Sequence, residues 1–244
     1  MYEKRCMTGI AKLDEILNGG IPRGHTVLIS GDSGTGKTIL CEEILFNGAK
    51  KHGENGVYIT MTEPVFKTLK NLEGLKYYEK SLVDGKKVNL LSLKMLADML
   101  KIKDESQLFE KQETLMNAIE EVVEATDAKR LAIDSITAIC YNLREEVRIR
   151  KFIFELGTIL AGLDCTTLMT SEVPADRAGY SVFGVEEFIS DGILKLDRSE
   201  RKGALLRTLQ IVKMRGIQHS VNRHVMDILP EGVQLMPMMK AYTE

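Results

Sequence analysis

The 244-residue chain has no tryptophan, only 5 prolines, and 4 cysteines with no CxxC spacing among them. So little proline, in a chain of ordinary apolar content and mixed charge, excludes a collagen-like fibre. Cys6, Cys41, Cys140 and Cys165 are too scattered for a zinc site or a disulfide framework. Cys41, Cys140 and Cys165 lie among apolar residues and are expected to be reduced core thiols, which points to a cytoplasmic protein. No apolar run approaches the roughly 18 residues of a membrane span, so no membrane association is expected. Met1–Cys6 leads into a polar stretch with no apolar h-region, and no secretory signal is expected. Net charge is also scarce: 33 basic against 35 acidic residues give −2, and 44% apolar content is enough for a packed core.

That small total hides an uneven distribution. Residues 195–224 hold eight basic side chains (Lys195, Arg198, Arg201, Lys202, Arg207, Lys213, Arg215, Arg223) and two acidic ones (Asp197, Glu200). A basic block on an acidic body suits nucleic acid, a phosphate ligand or a neighbouring subunit.

Strand-length apolar runs alternate with helical patterns. Strands are predicted at residues 26–30, 56–61, 130–134 and 165–170, with another possible at 88–91. Helices are predicted at 38–51, from Pro64 to Leu72, at 106–125 and at 144–161. Continuous apolar strands separated by helices imply a mostly parallel sheet with helices on both faces. After residue 190 the runs at 192–196, 205–213 and 225–229 have short connections and imply C-terminal antiparallel strands. With no repeat and no linker, residues 1–244 read as a single α/β domain. Residues 76–106 are weakly periodic and receive no function.

Gly31-Asp32-Ser33-Gly34-Thr35-Gly36-Lys37-Thr38 matches G-x-x-x-x-G-K-[ST] between a predicted strand and a predicted helix. Such a loop turns its N–H groups inward at a helix N-terminus, making a concave anion site. Nucleotide binding is assigned to Asp32, Ser33, Gly34, Thr35, Gly36, Lys37, Thr38 and Ile39. Lys37 faces the β- and γ-phosphates, and the Thr38 hydroxyl faces Mg²⁺. Asp134, ending the apolar strand Leu131-Ala132-Ile133, is the expected carboxylate of the same metal site. Glu63 follows a strand and precedes Pro64, at the sheet edge where such folds bind ligands, and is the expected base that orients water. Thr170, read as ending the fourth strand with Ser171, is expected to sense the γ-phosphate. His25, His52 and His224 show no metal spacing.

With these motifs the chain resembles a single KaiC-type ATPase domain of the RecA superfamily, a RecA-like P-loop NTPase. The resemblance is carried by Thr8-Gly9-Ile10…Leu13-Asp14, Gly19-Gly20-Ile21-Pro22-Arg23-Gly24, the phosphate loop, Leu131–Ser135, Phe183–Gly192 and Lys213-Met214-Arg215-Gly216…His219. It implies ATP as substrate and a ring, usually hexameric, with ATP at subunit interfaces. By that resemblance Lys213 and Arg215 act in trans on the neighbour's γ-phosphate, and His219 lies near the same phosphates. The family often has two adjacent glutamates after the second strand; here Thr62-Glu63 stand there, so slow hydrolysis is expected. By the same resemblance, no counterpart of the tandem second domain or phosphorylated C-terminal segment of two-domain members of the family is expected, nor an autokinase role. Two other functions compete with ATP hydrolysis. One is a DNA-binding recombination accessory using the loop Ala175–Tyr180, though one Arg and one Tyr make a poor single-strand groove. The other is a nucleotide-gated signalling scaffold with negligible turnover. No protein partner is indicated.

Overall fold

The computed structural model describes residues 4–110, 112–174, 179–201 and 203–238. The loop considered for DNA contact therefore lies, at residues 175–178, outside the described residues.

The chain opens with β1 (Arg5–Cys6), α1 (Ala11–Ile16) and β2 (Ile21–Pro22), the two short strands pairing with each other. The alternating body comprises β3 (Thr26–Gly31), α2 (Lys37–His52), β4 (Asn55–Thr60), α3 (Val65–Leu72), α4 (Lys80–Asp84) and β5 (Val88–Ser92). It continues with α5 (Leu93–Met99), α6 (Gln107–Glu110), α7 (Gln112–Ala125), β6 (Ala128–Asp134), α8 (Ile136–Leu143), α9 (Glu146–Gly162) and β7 (Thr166–Glu172). Last come α10 (Glu186–Ile189), β8 (Gly192–Arg201), β9 (Ala204–Met214), β10 (Arg223–Leu229) and β11 (Gly232–Pro237).

The nine strands β3–β11 form one sheet in the order β11-β10-β9-β8-β3-β7-β6-β4-β5. The six from β8 to β5 are parallel, while β9, β10 and β11 are added antiparallel. This is the α/β architecture expected, with β11 as an additional strand; the run at 192–196, expected among the antiparallel strands, instead pairs parallel to β3 as β8. Side-chain alternation splits the apolar residues into two cores, one on each face. Val27, Ile29, Tyr58, Ala132, Leu168, Leu194 and Leu196 pack under α1 and α2. Leu28, Val57, Ile59, Leu131, Ile133, Met169 and Ile193 pack under α7, α8 and α9. Each fully buried aliphatic side chain contributes ~1.5–3 kcal/mol, so both faces hold the sheet flat against its helices.

Several boundaries differ from expectation. The strand expected at 192–196 runs on to Arg201 as β8, which carries Arg198. β7 runs on to Glu172, so Thr170 lies inside the strand rather than at its end. The helix predicted at 144–161 starts at Glu146, because Arg144 takes φ 62 after the separate helix α8.

Candidate functional site

The phosphate loop joins β3 to α2 at the C-terminal edge of the parallel strands, where doubly wound folds bind ligands. Gly36 is the N-cap of α2 at φ 102, a left-handed conformation open to glycine. A Cβ there would come within 2.7 Å of Met226 and 2.8 Å of Ile228, so the β10–β11 hairpin closes directly on the loop. The first turn of α2 has no acidic residue, whereas Lys50, Lys51 and His52 stand in its last turn. The positive end of the helix dipole is thus left for an anion.

Lys37 is 7% exposed. Its ammonium donates to the carbonyls of Gly31 at 2.9 Å and Asp32 at 3.0 Å. Burial lowers its pKa, against the pull of the Glu172, Asp134 and Asp32 carboxylates. A cation held in this way by neutral carbonyls is favourably placed to receive a phosphate. Asp32 is itself held ionised, by the N–H of Ser33 and then by Arg198.

Thr38 and Asp134 meet. The Thr38 hydroxyl donates to Asp134 Oδ2 at 2.6 Å, Tyr58 donates to the same oxygen at 2.7 Å, and Thr170 donates to Oδ1 at 2.5 Å. Burial raises the Tyr58 pKa, which keeps it a donor. Ser135 follows Asp134 and caps α8, accepting from the Ala138 N–H at 3.4 Å. Ser33, Gly34, Gly36, Lys37, Thr38, Ile39, Asp134, Glu172, Arg207 and Ile228 line one cleft. Thr35 turns inward instead, fully buried, with its hydroxyl on the Asp32 carbonyl. The oxygens of Thr38 and Asp134 are hard donors of the kind Mg²⁺ takes.

Thr170 is fully buried behind Asp134. Glu63 sits three residues beyond Thr60, the β4 partner of Asp134, and its backbone N–H bonds Thr60 Oγ1. Its carboxylate faces Lys67 at 3.1 Å and accepts from Thr68 at 3.4 Å.

Lys213, Arg215 and His219 are not brought to this loop within one copy. Lys213 pairs in register with Ile193, and Met214 with Gly192, which in turn pairs with Val27 near the start of β3. The loop leaves the other end of β3 at Gly31, roughly 13 Å from Val27 at ~3.3 Å per residue. Lys213 donates to the carbonyl of Ser190 at 2.6 Å, and Arg215 pairs with Asp191 at 3.0 Å. His219 lies in the β9–β10 connection, its Nδ1 3.1 Å from the Ser220 carbonyl oxygen.

A family model described as ATPase: KaiC matches residues 6–240. The chain belongs to the KaiC ATPase family. A UPF0273 protein of Methanopyrus kandleri is 36% identical over 244 residues, covering 97% of this chain and 94% of that protein. A UPF0273 protein of Thermotoga maritima is 37% identical, covering 96% of each. The circadian clock oscillator protein KaiC of Parathermosynechococcus lividus is 30% identical over 95% of this chain but only 42% of its own length. The crystal structure of a KaiC-like protein from Pyrococcus horikoshii superposes with a TM-score of 0.81 at 32% identity, covering 96% and 99% of the two chains.

In this KaiC-family chain, sequence reasoning missed three side chains at the phosphate loop. Arg198 and Arg207 reach it from the β8–β9 hairpin, with Arg198 on the Asp32 carboxylate at 3.0 Å and Arg207 on the Gly34 carbonyl at 3.1 Å. Their signal was the basic block, but only the hairpin register selects these two from its eight cations. Tyr58 lay within a predicted strand, where its hydroxyl gave no sign of its direction.

Proposed function

We propose that the chain is a single-domain Mg²⁺-dependent ATPase that works as a ring, hexameric by family resemblance, in the cytoplasm. The hydrogen bond of 2.6 Å between Thr38 and Asp134 carries this reading, because it joins the loop hydroxyl to a strand-end carboxylate beside Lys37. Thr38 and Asp134 would hold Mg²⁺, which when bound neutralises charge on the phosphate oxygens. The loop N–H groups and Lys37 hold the β- and γ-phosphates. Glu63, at the same sheet edge, orients the attacking water and takes its proton.

Lys213 and Arg215 stand at the edge opposite their own loop, so they serve hydrolysis only if a second copy stacks that edge on its neighbour's cleft. Their positive charge then meets the γ-phosphate as it develops charge in transfer. His219, in the adjoining connection, joins them. Mixing experiments test the arrangement. Lys37→Ala subunits and Arg215→Ala subunits, each inactive alone, should regain part of the wild-type rate when co-assembled; a mixture no more active than its parts overturns the trans reading. Loss of turnover in both Lys37→Ala and Glu63→Gln, ~10²–10⁴-fold for the latter, tests catalysis itself.

One observation favours a second reading. The Glu63 carboxylate is already engaged by Lys67 and Thr68, as suits a nucleotide-gated scaffold with little turnover. Single-turnover hydrolysis that is unchanged by Glu63→Gln selects that reading.

A further inference from the structure

On the other side of the phosphate loop lies a cavity of about 210 Å³. Its polar wall comes from successive strands on the face of the sheet covered by α7, α8 and α9. Leu194, Leu196, Leu209 and Met226 point to the α2 face, so Lys195, Asp197 and Thr208, one residue along, and Arg223, three residues from Met226, point to this one. Asp197 is shared by two cations, Lys195 Nζ at 3.4 Å and Arg223 Nη2 at 3.5 Å. Among the described residues, one carboxylate between these two cations leaves one positive charge in excess. Lys195 also stands 5.8 Å from the centre of the Tyr180 ring.

Ser30 lines the same cavity. It is 1% exposed, and among the described residues its hydroxyl has no hydrogen-bond partner. A buried hydroxyl left unpaired has lost its water partners without replacement, so an acceptor arriving in the cavity would be favoured. One surplus positive charge and a spare donor together call for an oxyanion. The volume lies below the ~300–1,000 Å³ of sites for drug-sized ligands, which suits a compact group rather than a stacked polymer.

We infer that this cavity is a second anion site, taking a phosphate ion or the phosphoryl group of a small phosphomonoester through Lys195, Arg223 and Ser30. It is separate from the cleft that Lys37 and Thr38 line. Arg198 and Asp32, paired at 3.0 Å, stand on its rim, and Asp32 is a residue of the phosphate loop, so the two sites are neighbours.

The test is titration of the full chain with inorganic phosphate and with glycerol phosphate by calorimetry. Each titration is run with and without saturating magnesium and a non-hydrolysable ATP analogue. Saturable binding should persist with the analogue present, weaken about tenfold in Lys195→Ala and in Arg223→Ala, and weaken severalfold in Ser30→Ala. Tighter binding of the ester assigns the site to a phosphoryl metabolite, and tighter binding of the ion to free phosphate. Lys195 and Arg223 are 29% and 50% exposed, so both variants should fold, which circular dichroism checks. Binding that vanishes once the analogue fills the phosphate loop, or that is unchanged in all three variants, overturns the inference. So does a failure to bind either anion alongside salt-steep binding of oligo-dT lost in the same variants, which would make this a nucleic-acid surface.

Discussion

Arg198 and Arg207 are direct partners across the β8–β9 hairpin, and both turn toward the phosphate loop. Like charges opposite each other in a sheet repel, so this pair is tolerated where anionic or carbonyl oxygen faces it. Arg198 has the Asp32 carboxylate, whereas Arg207 has only the Gly34 carbonyl, a neutral acceptor. Arg207→Ala should therefore leave folding stability within ~0.5 kcal/mol of wild type. The same change should weaken nucleotide binding by about tenfold, read by titration with a fluorescent ATP analogue.

Thr170 offers a separate test of how Asp134 is held. Its hydroxyl, fully buried, supplies one of three hydrogen bonds to that carboxylate. Thr170→Val keeps the volume but removes the donor. The expected loss is ~1.5–3 kcal/mol in urea unfolding. The Mg²⁺ concentration needed for half-maximal ATP binding should also rise ~10–100-fold, as when an outer hydrogen bond to a metal ligand is lost.

Away from the site, Arg130 is 1% exposed and its guanidinium is paired with Glu54 at 2.7 Å. Its Nη1 also donates to the Ile44 carbonyl at 2.9 Å, tying β6 to α2. Glu54 additionally pairs with Arg23. Glu54→Ala would leave a buried charge without its partner and should cost ~3–5 kcal/mol. Glu54→Ala combined with Arg130→Met should recover part of that loss in thermal unfolding, because the more deeply buried of the two cations on Glu54 is gone while Arg23 remains.

Glu42, on α2 one turn beyond Thr38, is 4% exposed. Burial, and then the neighbouring Asp134 and Glu63 carboxylates, push its pKa from 4.5 up to about 8. In that interval the folded chain keeps a proton that the unfolded chain has released. Stability from this group is therefore present below pH 4.5 and is lost as pH rises toward 8. Melting temperature should fall across this window more steeply in wild type than in Glu42→Gln, whose neutral amide cannot titrate.

Much of the fold was legible because its signals are local. The strands of the parallel sheet announced themselves as apolar runs, and α2 and α7 as periodic stripes. α8 escaped notice because Ile136, Thr137, Ile139, Cys140 and Leu143 are all buried, leaving little polar contrast along the helix. Residues 76–106 resisted reading for a different reason. There α4 and α5 span 5 and 7 residues, too short to show a period, and β5 is the edge strand that follows from pairing with β4.

By itself the sequence determined the phosphate loop, since eight consecutive residues carry its glycines, its lysine and its threonine, and backbone N–H groups form the cradle. It also determined the alternation of strands and helices, which depends on neighbours a few positions apart. Only the tertiary structure decided that Asp134 meets Thr38, that Tyr58 and Thr170 hold that carboxylate, and that Arg198 and Arg207, rather than Lys213 and Arg215, face the loop of their own copy. Those meetings depend on strand order and register. A shift of one residue in either would send each of these side chains to the opposite face, and no local pattern in the chain records that choice.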